Sequence, residues 1–166
     1  MDIRFLPHNS HLEDPDKFTL LDYNLRKLNQ QILVFRSSLL DTFPKQSPGI
    51  YTISGGRQVG KTTLMKQWMA ELLRAQVNPN QIAYLTGELI EDHHSLILLL
   101  TEIIKNIPED GHGYIIIDEV TYISGWDKGV KYMADTGMLE NISLYLTGSD
   151  LLIIKEARMR FPGRRG

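Results

Sequence analysis

The 166 residues contain no cysteine, so disulfides, thiolate metal ligands and cysteine nucleophiles are excluded. This suits a reducing compartment, and a cytoplasmic location is expected. Long apolar runs are also missing. The longest, Leu96 to Leu100, falls far short of the ~20 residues a membrane-spanning helix needs. The first residues, Met1 to His8, lack a basic stretch followed by an apolar one, so no leader is read there. Neither sign of charge dominates. A net charge of −2 argues against whole-surface attraction to nucleic acid or to an anionic membrane. No internal repeat and no low-complexity tract appears. The remaining composition, 42% hydrophobic and 23% charged, is that of a globular chain long enough for one real core.

Against this plain background one stretch is distinctive: Gly55-Gly56-Arg57-Gln58-Val59-Gly60-Lys61-Thr62-Thr63. It satisfies the phosphate-binding pattern G-x-x-x-x-G-K-[ST] at every fixed position. Gly55 and Gly60 let the backbone turn sharply and approach an oxygen-rich ligand. The loop N–H groups then form a concave anion site, with the positive end of the next helix behind it. Lys61 reaches the outer phosphates, and Thr62 offers a hydroxyl to Mg2+. Chance alone yields the pattern in roughly one chain in a hundred of this size. The flanks argue against chance. Ile50–Ser54 reads as a β-branched strand. The apolar pairs 64/65, 68/69 and 72/73 recur every four residues, as in a helix ending near Gln76.

Residues 1–48 read as an N-terminal extension and residues 49–166 as the core. Up to residue 18 the chain is expected to be irregular, with a short strand at Ile3–Leu6. His8 and His11 are read as ordinary surface histidines, since no third metal ligand stands nearby. Over 19–43 the apolar stripe Leu21, Leu25, Leu28, Ile32, Phe35, Leu39 predicts one amphipathic helix lying against the core, ended by Pro44 and Pro48. After the first core helix come a turn at Asn78–Asn80 and a strand over Gln81–Thr86. A helix over His93–Lys105 follows, N-capped by Asp92 and apolar enough to predict deep burial. His93 and His94 are adjacent, a poor chelate on a helix.

Tyr114-Ile115-Ile116-Ile117-Asp118-Glu119 is unbroken apolar sequence ending in two acids. Such a run describes a strand buried on both faces of a parallel sheet. Ligands bind beyond the carboxyl ends of such strands, which puts Asp118 and Glu119 on the edge where the phosphate loop opens. Asp118 is the expected Mg2+ partner, and Glu119 the group that orients or deprotonates water. A helix over Trp126–Asp135 follows, with Trp126 read as a core side chain. A fourth strand, Ile142–Leu146, ends in Thr147-Gly148-Ser149-Asp150. Thr147, with Ser149 second, is the candidate to sense the terminal phosphate. A short helix is expected over Leu151–Arg160, and the last twelve residues carry five basic groups and one acid.

Five stretches together resemble a known family: 55–64, Ile115–Val120, Gly125-Trp126, Leu146–Ser149 and Pro162-Gly163-Arg164-Arg165-Gly166. They are similar to prokaryotic AAA-type P-loop ATPase domains that are normally followed by a C-terminal domain of unknown function. The resemblance implies a three-layer α/β fold, a parallel sheet flanked by helices with the fourth strand inserted between the phosphate-loop strand and the Asp-Glu strand. It further implies a fifth strand beyond Gly166, so a truncated core is expected, with the phosphate-loop strand as an edge. AAA-type proteins often carry Asn where Thr147 stands.

The expected activity is Mg2+-dependent ATP hydrolysis. Residues 55–63 would hold the nucleotide, Thr62 and Asp118 the Mg2+, and Lys61, Glu119 and Thr147 would serve the chemistry. Arg164, Arg165, Arg158 or Arg160 would stabilise transition-state charge in cis or from a neighbour, a role worth three to five orders of magnitude. Slow turnover by the isolated chain is therefore expected. A nucleotide-gated switch with little turnover and a P-loop kinase are the alternatives. ATP is expected as ligand, self-association or a C-terminal domain are open as partners, nucleic acid is undecided, and no membrane is involved.

Overall fold

The computed structural model describes residues 1–30, 38–43, 45–54, 60–108 and 111–148. Four strands form one parallel sheet: β1 (Gly49–Ser54), β2 (Ile82–Thr86), β3 (Gly113–Asp118) and β4 (Ile142–Gly148). Their order is β1-β4-β3-β2, so the fourth strand does lie between the phosphate-loop strand and the Asp-Glu strand. Ile50 pairs with Leu144, and Ile115 pairs with Leu144 from the other side. Every residue of β3 and β4 is buried, as a strand covered on both faces requires.

Alternation along the strands divides the core into two layers. Ile115, Ile117, Leu144, Leu146 and Leu85 point to one face, against α4 (His93–Lys105) and α5 (Trp126–Asp135). Tyr114, Ile116, Tyr145 and Tyr84 point to the other, against α3 (Lys61–Arg74) and two shorter helices, α1 (Phe18–Leu21) and α2 (Tyr23–Asn29). Trp126 is buried in the first layer, as its place at a helix start suggested. Asp92 caps α4 through its side chain, which accepts from Ser95 N–H at 2.9 Å. Among the described residues no helix is long and apolar enough to cross a membrane.

Four expectations change. The single helix over 19–43 is broken at Asp22, whose extended backbone (φ −68°, ψ 128°) ends α1 and whose carboxylate caps α2 at Leu25 N–H. Pro44 and residues 31–37 lie outside the described residues. Ile3–His8 is a 3₁₀ turn started by the Asp2 side chain rather than a strand. The α4 helix is buried only along Leu96 and Leu100, while Leu98 is 72% exposed. His11 is not a surface histidine, and His8 is half-buried. His11 is fully buried, with Nε2 2.7 Å from the Ile82 carbonyl, and His8 stacks on Tyr84.

This last change reflects how the sheet edge is finished. The outer side of β2 has no strand beside it among the described residues. Asn9 replaces one: its amide accepts from Tyr84 N–H and donates to the Tyr84 carbonyl, both at 2.8 Å. With His11 on Ile82, two side chains satisfy backbone groups that an exposed edge would leave open.

Candidate functional site

Gly60 precedes α3 in the left-handed region (φ +66°, ψ +36°), a conformation glycine enters without penalty. Its carbonyl accepts the first helical bond, from Leu64 N–H at 2.8 Å. Lys61, Thr62 and Thr63 therefore occupy the first turn, where N–H groups lack intrahelical partners and the dipole is positive. The remaining loop residues, Gly55, Gly56, Arg57, Gln58 and Val59, lie outside the described residues. So do Ser149, Arg158, Arg160, Arg164 and Arg165.

The carboxyl end of β3 comes to this helix start. Three hydroxyls converge on the buried Asp118 carboxylate. Thr62 Oγ1 donates to Oδ2 at 2.5 Å, Thr147 Oγ1 donates to Oδ1 at 2.5 Å, and the Tyr84 hydroxyl also donates to Oδ2. They replace the water that a buried carboxylate loses, and they fix its orientation. Thr147 in turn accepts from Glu119 N–H at 2.9 Å, so one hydroxyl ties the two acids together. Its sequence-based role as a direct phosphate sensor meets a hydroxyl that already has two protein partners.

Glu119 has a left-handed backbone (φ +53°, ψ +53°), uncommon for a residue with a Cβ. Gly87, just after β2, fits against it: a Cβ at Gly87 would lie 2.1 Å from the Glu119 carbonyl oxygen. The strained residue is thus held from both sides, by the Thr147 hydroxyl and by the Gly87 backbone. Glu119 Oε1 stands 3.7 Å from Lys61 Nζ, and the Lys61 side chain is buried.

The oxygen set fits Mg2+. Thr62 and Asp118 are hard donors in contact with one another, and Mg2+ is typically held by one or two carboxylates together with substrate phosphates. Among the described residues no group of three or more His, Cys, Asp or Glu side chains gathers into an all-protein metal cage.

Behind Asp118 lies a second polar group that sequence reasoning missed. Lys66 and Asp22 are buried and in direct contact. The Lys66 ammonium also stands 4.6 Å over the Tyr84 ring and 3.3 Å from His8 Nδ1. Burial pulls the Lys66 ammonium below its usual range, against the pull of Asp22. Burial, then the Asp118 charge, push the Tyr84 phenol well above its usual range, so it remains a donor. The one available signal was Asp22 itself, an N-cap residue three positions before Leu25 inside an otherwise continuous helical stripe.

Residues 47–166 match the family model described as "AAA domain". No curated protein matches the chain. Solved structures do, among them the crystal structure of Cdc6p from Pyrobaculum aerophilum. It is 12% identical, with a TM-score of 0.52, over 86% of this chain and 44% of that one. The chain spans less than half of that protein's length, and the likeness is one of fold.

Proposed function

Since the chain belongs to the AAA domain family, we propose that it is a cytoplasmic, Mg2+-dependent ATPase, of the branch normally followed by a C-terminal domain. The observation that carries this reading is the meeting of Thr62 with Asp118 beside the Lys61–Glu119 pair. Residues 55–63 and the α3 N-terminus bind the phosphates, with Lys61 on the outer ones. Thr62 and Asp118 would hold Mg2+, which would supply charge neutralisation to the phosphates. Glu119 orients and deprotonates the attacking water. Thr147 positions Glu119 through its backbone and acts on the terminal phosphate through that contact. Arg164 or Arg165, in cis or from a second copy, supplies the charge that speeds turnover, so the isolated chain hydrolyses slowly.

Phosphate release at saturating Mg-ATP tests the assignment. Wild type should exceed Glu119→Gln by about 100-fold, the scale of a lost general base. Equal background rates with retained ATP binding would leave the second reading, a nucleotide-gated switch.

A further inference from the structure

We propose that Tyr84 is a positioning residue for the metal-binding carboxylate, and that the N-terminal segment holds it in place. The inference deepens the nucleotide reading above and rests on it.

Tyr84 is fully buried in the strand next to Asp118, and its hydroxyl ends on Asp118 Oδ2. That oxygen is the one Thr62 also reaches. Asp118 therefore faces Thr62 in an orientation set partly by a residue outside the phosphate-loop and strand-end motifs. A neutral phenol is suited to this: it fixes the carboxylate without cancelling the charge that attracts the cation. Ligating carboxylates are commonly held in this way, and their outer partners tune metal affinity.

Tyr84 is itself gripped at three points by other elements. Asn9 pairs with both its backbone N–H and its carbonyl. His8 stacks on the ring, with centroids 5.0 Å apart and planes inclined by 28°. The Lys66 ammonium lies over the ring and is held there by Asp22. Asn9, His8 and Asp22 all belong to the first 22 residues, which the sequence marks as an extension to the core. Packing alone would not require all of this. The Asn9 clamp also closes the sheet edge, but an aromatic side chain filling the layer does not need a hydroxyl on a carboxylate or a buried ion pair beneath it. The geometry makes the N-terminal segment part of the Mg2+ site at one remove.

The test measures binding, separately from turnover. A fluorescent ATP analogue is titrated into the full chain in EDTA, and Mg2+ is then titrated at fixed nucleotide. Tyr84→Phe keeps the ring, its stack on His8 and the cation contact, and loses only the hydroxyl. It should match wild type in EDTA and need about tenfold more Mg2+ for half-saturation. A double variant, Asp22→Leu/Lys66→Met, removes the ion pair without stranding a charge and should shift the Mg2+ midpoint in the same direction, by less. Tyr84→Phe with the wild-type Mg2+ midpoint overturns this inference alone. A wild type whose nucleotide affinity ignores Mg2+ overturns the metal-nucleotide reading and this inference with it. Loss of EDTA affinity in Tyr84→Phe also overturns it, since a positioning role toward Asp118 leaves the phosphate loop intact.

Discussion

Lys61 and Lys66 project from the first two turns of the same helix and both are buried, yet they meet different partners. Lys66 is in direct contact with Asp22, a carboxylate no more exposed than itself. Lys61 stands 3.7 Å from Glu119, which is partly exposed at the edge of the site. One ammonium is in direct contact with its counter-charge; the other stands 3.7 Å from a partly exposed acid. The difference teaches that burial alone does not mark a functional lysine. What separates the two is the closeness of the partner and which element brings it.

The most direct way to break the comparison is to remove the tight partner. Asp22→Ala leaves the Lys66 charge buried and uncompensated, and should lower stability by about 3–5 kcal/mol in urea unfolding. Asp22→Leu/Lys66→Met removes both charges and should cost no more than about 1–2 kcal/mol, the scale of the α2 cap that Asp22 also supplies. Equal damage in the two variants would mean that shape, not charge, decides at this pair.

The loose partner is tested in binding rather than stability. Lys61→Ala should weaken ATP affinity by about 100-fold, the scale of one or two lost charged hydrogen bonds. Its unfolding midpoint should scarcely move. Retained affinity would refute the phosphate site as a whole.

Gly87→Ala sharpens the contrast within the site. The new Cβ would meet a backbone carbonyl, that of Glu119, so no side-chain rotation can relieve it. Glu119 must shift, while Lys61 and Thr62 on α3 need not. Turnover should fall roughly tenfold or more, as expected for misplaced catalytic groups. Nucleotide affinity should hold. A parallel fall in both would show that Gly87 supports the whole site rather than Glu119.

How much of this was legible in the sequence divides along the same line. The start of α3 at Lys61, the place of Asp118 at the end of β3 and the strand order all rest on local signals or on a shared motif set. The cap at Asp92, the bounds of α4 and α5 and the burial of Trp126 were equally local. The arrangement around Lys66 was not, because it is made by pairings between residues far apart in the chain. Lys66 carried no reading of its own, since only the apolar pairs of its helix signal a pattern. Tyr84 read as a strand aromatic. His8 and His11 read as surface histidines and Asn9 carried no reading, since no periodicity reveals a side chain that finishes a sheet edge. The helix break at Asp22 was overridden in the reading by an apolar stripe that runs through it. In the fold, the break is what delivers the carboxylate to Lys66.

The smallest effect lies on that missed edge and concerns pH. His11 is buried against Phe18 and the Ile82 carbonyl. Burial lowers its pKa from 6.5 to about 4; the Ile82 carbonyl opposes this and the Lys66 charge adds to it. The native state therefore keeps a neutral imidazole between pH 6.5 and about 4, while the unfolded chain takes up a proton across that window. Stability from this group is complete above pH 6.5 and is lost as pH falls toward 4. By pH 5.5 the loss should be roughly 1 kcal/mol. His8 and His112 are also lowered, chiefly by burial, and push in the same direction, so wild type alone does not isolate the effect. His11→Gln keeps a donor for Ile82 and removes the titration. Its stability relative to wild type should improve on acidification from pH 7.5 to 5.5, measured by urea unfolding at each pH. A constant difference across that range would mean that the edge clasp carries no pH dependence and that His11 is held by packing alone.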